Sequence, residues 1–162
     1  MPNKRMLRTL TIAGAWLLLP CSLSAQNTAA GALAKARSVK CTFSQIATGS
    51  LREEPPKVDV KSANLVLEFE EVNADEGSAR LKSGFGQYDI IVRYAPGYLN
   101  FIQSFRDGPL YVTTILEQKT KAGKLKAMHS RHEYTAFALP GFTSSPEQYY
   151  GECEVVKDTA AR

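Results

Sequence analysis

Both histidines of the chain lie within four residues of each other, on either side of an arginine, in the stretch "AMHSRHEYTAF" at positions 127–137. His129, Arg131 and His132 are side chains of the types that hold anions, ligate metals or transfer protons. A zinc site takes three or four ligands, and two imidazoles without a spare cysteine do not supply them. General acid or base catalysis needs a second positioned group, which the sequence does not identify. We therefore predict no metal, no cofactor and no catalytic residue, and keep this segment as a candidate ligand-binding site.

The strand that carries the two histidines decides which of them faces the protein interior. Successive side chains of a strand point to opposite faces, so His129 and His132 face opposite ways unless a bulge intervenes. One register directs Leu125, Ala127, His129 and Arg131 inward, and the other directs Met128, Ser130, His132 and Tyr134 inward. The first register is favoured because it places Leu125 and Ala127 against the apolar face of the preceding strand.

An inward arginine needs a partner of opposite charge, because burying an unpaired guanidinium is costly. One interpretation gives Arg131 the anionic head group of a ligand. The other places it at the rim, paired with a carboxylate from Asp89, Glu117 or Glu133. For the histidines, the alternative to a ligand-binding role is a structural one, with both rings satisfied by neighbouring groups.

Apolar alternation of period two recurs between residues 87 and 133, with breaks at "APG", "RDGP" and "KAGK". Because Pro109 has no N–H to close a two-residue turn, we expect a longer loop between Phe105 and Leu110. That loop predicts that Phe105 pairs with Leu110, Phe101 with Thr114, Leu99 with Leu116, and Leu116 with Leu125 of the next strand. The predicted inner face of the two strands on either side of this loop comprises Leu99, Phe101, Phe105, Leu110, Val112 and Leu116.

The preceding strand, "QYDIIVRY", adds Ile90, Val92 and Tyr94 to the same face if Tyr94 lies opposite Leu99. Earlier strands contribute inward residues of matching parity, namely Cys41, Phe43, Leu65, Leu67, Phe69, Ala79 and Leu81. A last strand runs through "QYYGECEVV". These elements predict an all-β fold, a small antiparallel meander closing into a barrel of seven or eight strands, with a β-sandwich as the alternative. The alanine-rich segment 27–38 predicts a short N-terminal helix.

Two cysteines, Cys41 and Cys153, lie near the two ends of this predicted β domain. An isolated pair in an oxidising compartment predicts one disulfide, and a barrel that closes on itself brings such distant residues together. Closing so long a loop contributes up to about 4.7 kcal/mol in the chain-entropy model.

The first residues predict an export signal. Three basic residues precede an apolar run from Leu10 to Leu19, followed by small residues up to Ala25, and the run is too short to span a membrane. We expect a signal peptide at residues 1–25, a single β domain at 26–162, no transmembrane span and a periplasmic or extracellular location. A lipid anchor on Cys21 is disfavoured by Pro20 before it.

Removing that leader changes the charge of the chain. The full sequence has 20 Lys and Arg against 16 Asp and Glu, a formal charge of +4. Without the three basic leader residues, 17 face 16 and the charge is +1, so the composition gives no support to a nucleic acid partner.

The stretch "KAMHSRHEY" followed by "SSPEQYYGECE" resembles a group of small secreted bacterial proteins of uncharacterised function. Their C-terminal part carries an S-R-H stretch and a Q-Y-Y-G-x-C element, here Ser130 to His132 and Gln148 to Cys153. The resemblance extends from about Lys40 to Glu154. It implies a secreted location and does not indicate any particular activity. The barrel outline also resembles lipocalins, but their G-x-W motif is absent and the single tryptophan, Trp16, lies in the leader, so only the outline is shared.

Three functions remain open from the sequence. The first is non-catalytic binding of a small apolar or amphipathic ligand, with Arg131, His129, His132, Phe101 and Tyr94 as the ligand-binding residues. The second is an envelope interaction protein with a filled core, acting through its outer surface. The third is an enzyme that uses His129 or His132 together with Arg131.

Overall fold

Eight antiparallel strands form one sheet that closes into a barrel, with β1 paired to both β2 and β8. The computed structural model describes residues 31–51, 54–84, 86–106, 108–133 and 145–156. The strands are β1 (Val39–Ser50), β2 (Lys57–Asn73), β3 (Ser78–Ser83), β4 (Gly86–Ala95), β5 (Tyr98–Ser104), β6 (Leu110–Lys119), β7 (Leu125–His132) and β8 (Glu147–Val155). The predicted barrel is confirmed. The predicted signal peptide and Cys21 lie outside the described residues.

Aromatic and aliphatic side chains fill the inside of the barrel. Phe69 and Phe101 stack with ring centroids 3.8 Å apart. The largest fully buried side chains are Phe43, Phe69, Phe101, Leu33, Leu99, Ile115, Val39, Val72, Val92, Cys41 and Cys153. The inward positions predicted for the first four strands are confirmed, and Tyr94 pairs with Leu99 as expected.

The predicted register between β5 and β6 is wrong by one residue. Phe101 pairs with Thr113 and Leu99 with Ile115, while Ser104 pairs with Leu110. The Phe105 N–H donates to the carbonyl oxygen of Pro109 at 3.0 Å, so Pro109 closes the loop through its carbonyl although it has no N–H.

This slip exchanges the two faces of β6. Tyr111, Thr113 and Ile115 therefore point inward. The residues predicted to be in the core, Leu110, Val112 and Leu116, lie on the outer face. Phe105, also predicted to be in the core, is 36% exposed at the end of the barrel.

The favoured register for β7 is confirmed, although not through the predicted pairing. Leu116 does not pair with Leu125; Ile115 pairs with Ala127 and Lys119 with Leu125, with an irregularity in the ladder between these pairs. The inward set of β7 still includes Ala127 and His129, which are 6% and 4% exposed.

A short 3-10 turn at Ala32–Lys35 covers the end of the barrel where β1 begins, which we call the closed end. Leu33 of this turn is fully buried, and its N–H donates to the Glu117 carboxylate at 3.3 Å. The Gly31 N–H reaches the Tyr94 hydroxyl at 3.4 Å. The helix expected in this region is thus reduced to one turn that seals the barrel; residues 27–30 of the predicted segment lie outside the described residues.

The predicted disulfide is confirmed. Cys41 and Cys153 are directly paired residues of β1 and β8, and both are fully buried. The bond therefore crosses the seam at which the first and last strands close the barrel.

Candidate functional site

A group of polar and aromatic side chains lies at the opposite end of the barrel, where β7 ends and β8 begins. We call it the open-end cluster and define it as Tyr111 and Thr113 of β6, His129 and Arg131 of β7, Glu133 after β7, and Glu147 and Tyr149 of β8. The ladders explain why they meet: Thr113 pairs with His129, which pairs with Tyr149, while Tyr111 pairs with Arg131, which pairs with Glu147. Directly paired residues share one face of a sheet, so two consecutive rows of the inner face form the cluster.

His129 is held from both sides of its ring. Its Nδ1 lies 2.8 Å from the Thr113 hydroxyl oxygen, and its Nε2 lies 3.3 Å from Nε of Arg131. A guanidinium only donates, so Nε2 must carry the lone pair and Nδ1 the proton. The network therefore fixes one neutral tautomer of His129, which donates to Thr113 and accepts from Arg131.

The electrostatic environment strengthens this assignment. Burial, followed by the positive charge of Arg131, lowers the pKa of His129 from 6.5 to about 3. Burial also raises the pKa of Tyr111 and of Tyr149 to about 12, and hydrogen bonds to Glu133 and Glu147 add to these two shifts. All three rings are consequently neutral across the physiological range.

Arg131 lies between two aromatic rings. Its guanidinium carbon is 5.3 Å from the ring centroid of Tyr111 and 5.2 Å from that of Tyr149, within cation–π range. Its Nη1 lies 3.6 Å from Oε2 of Glu147, which also accepts the Tyr149 hydroxyl proton at 2.7 Å. The side chains of Arg131 and Glu147 keep only 18% and 13% of their surface exposed.

Glu147 is therefore a carboxylate partner of Arg131, and it is not one of the three carboxylates expected from the sequence. Of the three expected partners, Asp89 lies beside Arg80, and Glu117 accepts from the 3-10 turn at the closed end. Glu133 is buried and accepts the Tyr111 hydroxyl proton at 2.6 Å.

The structure brings together only some of the predicted ligand-binding residues. His129 and Arg131 are in direct contact. His132 is exposed on the outer face, Phe101 is buried against Phe69, and Tyr94 lies at the closed end. Sequence reasoning did not assign Tyr111, Thr113, Glu147 or Tyr149 to this site.

The open-end cluster is a satisfied network. Across the described ranges, no buried side-chain nitrogen or oxygen lacks a hydrogen-bond partner. In the same ranges no group of three or more His, Cys, Asp and Glu side chains is arranged to hold a metal ion. Since both ring nitrogens of His129 are engaged, this imidazole offers no free lone pair to a substrate or to a metal.

A shallow groove lies beside the cluster on the outer face, where β2, β1, β8 and β7 run side by side. Its volume is about 230 Å³. Its lining includes Ala47, Gly49, Val58, Ser130, His132 and Gln148, together with the edges of Arg131 and Glu147. Small residues of β1 form its floor, and polar side chains of β7 and β8 form one wall.

Comparison with protein-family models, with curated proteins and with solved structures finds no match for this chain. Within the part of the chain that the structure describes, no helix has the length and apolar character needed to cross a membrane.

Proposed function

We propose that this chain is a non-catalytic interaction protein that binds an extended segment of a partner protein in the outer groove. The observation that carries the proposal is the packing of the barrel interior. Among the described residues, eleven apolar side chains including Phe43, Phe69 and Phe101 are less than 2% exposed, and the rows above them are occupied by the open-end cluster. A ligand in the middle of the barrel would have to displace Phe69 or Phe101 from their stack, whereas the outer groove is open.

The chemistry of the groove suits a polypeptide segment. At about 230 Å³ it is smaller than the roughly 300–1,000 Å³ of most small-molecule pockets. Its floor at Ala47 and Gly49 admits a backbone or a small apolar side chain. Ser130, His132 and Gln148 offer hydrogen bonds along one wall, and Val58 gives an apolar surface on the other.

The predicted leader and the buried disulfide support a periplasmic or extracellular location. Disulfides form and persist in oxidising compartments, and Cys41 and Cys153 are paired here. We therefore place the partner among exported proteins of the cell envelope or its surroundings.

Filling the groove tests the proposal. Gly49 has open space where a side chain would begin, so Gly49→Trp should fold and should occupy the groove. Gly84, in the turn after β3, is equally open, and Gly84→Trp is the matched control. We expect selection from a displayed library of random peptides to yield a shared sequence whose affinity falls at least tenfold in Gly49→Trp and is unchanged in Gly84→Trp. Failure to enrich any sequence, or equal loss in both variants, contradicts the proposal.

A second candidate is binding of an amphipathic anion, and one observation favours it. Arg131 contributes to the lining of the groove, and its guanidinium is flanked by the rings of Tyr111 and Tyr149 in the adjoining open-end cluster; a cation beside aromatic rings suits an anionic head group with an apolar tail. Native mass spectrometry of protein purified with its disulfide intact separates the two candidates. A retained small molecule that is lost in Arg131→Ala supports the anion, and an unliganded mass in both proteins supports the peptide.

A further inference from the structure

Along the first half of β2, one edge has no partner strand among the residues that the structure describes. Pairing between β2 and β3 begins only at Glu68, whereas β2 itself begins at Lys57. Residues 57–62, 65 and 66 pair with β1 on one side, with an irregularity in the ladder at residues 63 and 64, and no described strand pairs with residues 57–66 on the other side. All side chains from Lys57 to Ser62 are exposed, with Val58 at 70% and Val60 at 63%.

Such an edge offers a row of backbone donors and acceptors to another strand. We propose that a second copy of this chain occupies it, so that two β2 strands pair antiparallel about a two-fold axis at Val60. This proposal concerns the backbone edge of β2, whereas the groove lies on the outer face of the sheet; the two share Val58, whose side chain forms one wall of the groove.

Charge complementarity selects the second copy and the register. When Val60 lies opposite Val60 of the second copy, Asp59 lies opposite Lys61 and Lys61 lies opposite Asp59. Within one chain these two side chains already form an ion pair at 3.1 Å on one face of β2. The dimer would join two such pairs into an alternating group of four charges, which favours this arrangement.

Neighbouring registers are worse. Directly opposed residues must lie on the same face, so the axis passes through a single residue and each alternative moves it by one position. An axis at Asp59 sets Asp59 against its own copy and Lys57 against Lys61. An axis at Lys61 sets two lysines against each other.

An axis at Val58 pairs Lys57 with Asp59 but gives a ladder of only three residues. Beyond it lies Pro56, which has no N–H to donate. The axis at Val60 pairs residues 57–63, a ladder that includes the whole exposed segment 57–62. Residues 64–67 of β2 then lie between this ladder and the first β2–β3 pair at Glu68. This gap leaves room for the connection between β1 and β2 of the second copy.

The interface is small, so we expect a weak dimer, present at about 100 μM protein and dissociated at about 1 μM. Sedimentation analysis should show this concentration dependence. Asp59→Lys sets like charges opposite each other and should weaken the dimer at least tenfold, and the double variant Asp59→Lys/Lys61→Asp should restore it. Both positions are exposed, so the fold should tolerate these changes.

Cross-linking tests the register directly. In Val60→Cys the two thiols face each other across the axis, so a short bismaleimide should link the two chains. In Val58→Cys each thiol faces Ser62 of the second copy and should link at least tenfold more slowly. A protein that stays monomeric at about 100 μM, a dimer that is insensitive to Asp59→Lys, or equal linking of the two cysteine variants would overturn the proposal.

Discussion

A single imidazole shows how the neighbours of a residue decide its chemistry. His129 is one of only two histidines in the chain, and the residue is 4% exposed. Thr113 and Arg131 engage its two nitrogens. The rings of Phe43, Tyr111 and Tyr149 pack around the imidazole, with their centroids 5.7–6.0 Å from its centroid. Protonation would bring a second positive charge beside Arg131 and remove the acceptor for its Nε–H.

This environment predicts a defined acid sensitivity of the fold. Because the pKa of His129 is about 3 in the folded protein and near 6.5 when unfolded, the unfolded state binds the proton more readily between these values. Above pH 6.5 the imidazole is neutral in both states, and its burial carries no protonation penalty. As pH falls from 6.5 towards 3, His129 lowers the free energy of unfolding by up to about 1.4 kcal/mol per pH unit.

Urea unfolding at a series of pH values measures this decline. We expect His129→Gln to reduce the slope of the free energy of unfolding between pH 6 and pH 4. The exposed His132→Gln should retain the wild-type slope. Identical slopes in wild type and His129→Gln would show that this imidazole is not the group responsible.

At the scale of strands, Gly151 is a position where β8 comes close to the backbone of β1. This residue pairs with Phe43, next to the irregularity in the β1 ladder. A side-chain carbon at Gly151 would collide with the Thr42 carbonyl oxygen and the Phe43 Cα, both of which are backbone atoms. The close approach of the β1 backbone therefore explains why a glycine, with no side-chain carbon, occupies this position of "QYYGEC".

We expect Gly151→Ala to lower the free energy of unfolding by about 1–3 kcal/mol, because backbone cannot move aside as a side chain can. Gly49→Ala is the matched control, since nothing lies within 4 Å of its added carbon. It should leave stability unchanged or raise it slightly by restricting the unfolded chain. Chemical denaturation compares the two variants, and equal effects would refute the close approach.

The same scale shows what the sequence predicts and where prediction fails. Period-two alternation is a local property, so it identified the inward faces of β4 and β7 and placed His129 and Arg131 inside. The β5–β6 register depends on which backbone bond closes the loop, and composition does not report that the Pro109 carbonyl closes it. Glu147 and Tyr149 were not assigned to the interior although the sequence held the signal: they share parity with Cys153, which is buried in its disulfide.

For the whole molecule, the disulfide joins the only two strands that are distant in sequence and adjacent in the described sheet. Every other pairing connects consecutive strands. Cys41 and Cys153 are separated by 112 positions, so the bond removes much of the freedom of the unfolded chain.

We expect the double variant Cys41→Ala/Cys153→Ala to lose about 3–4 kcal/mol of unfolding free energy. Urea denaturation should give the same reduced midpoint for wild-type protein in excess reductant. Agreement between the two samples separates the effect of the cross-link from that of the substitutions. A midpoint unaffected by both treatments would mean that the seam is stable without its covalent bond.

The position of this bond also determines how the protein responds to mechanical load. Tension applied through residues outside the Cys41–Cys153 segment passes from one sulfur to the other along a covalent path. The hydrogen-bonded ladders between Cys41 and Cys153 then carry almost none of that force. The chain between the two cysteines cannot be extended while the disulfide is intact. When the oxidised protein is pulled from its ends, the segment between Cys41 and Cys153 therefore stays folded and does not lengthen. Only reduction of the disulfide would allow force to unfold it.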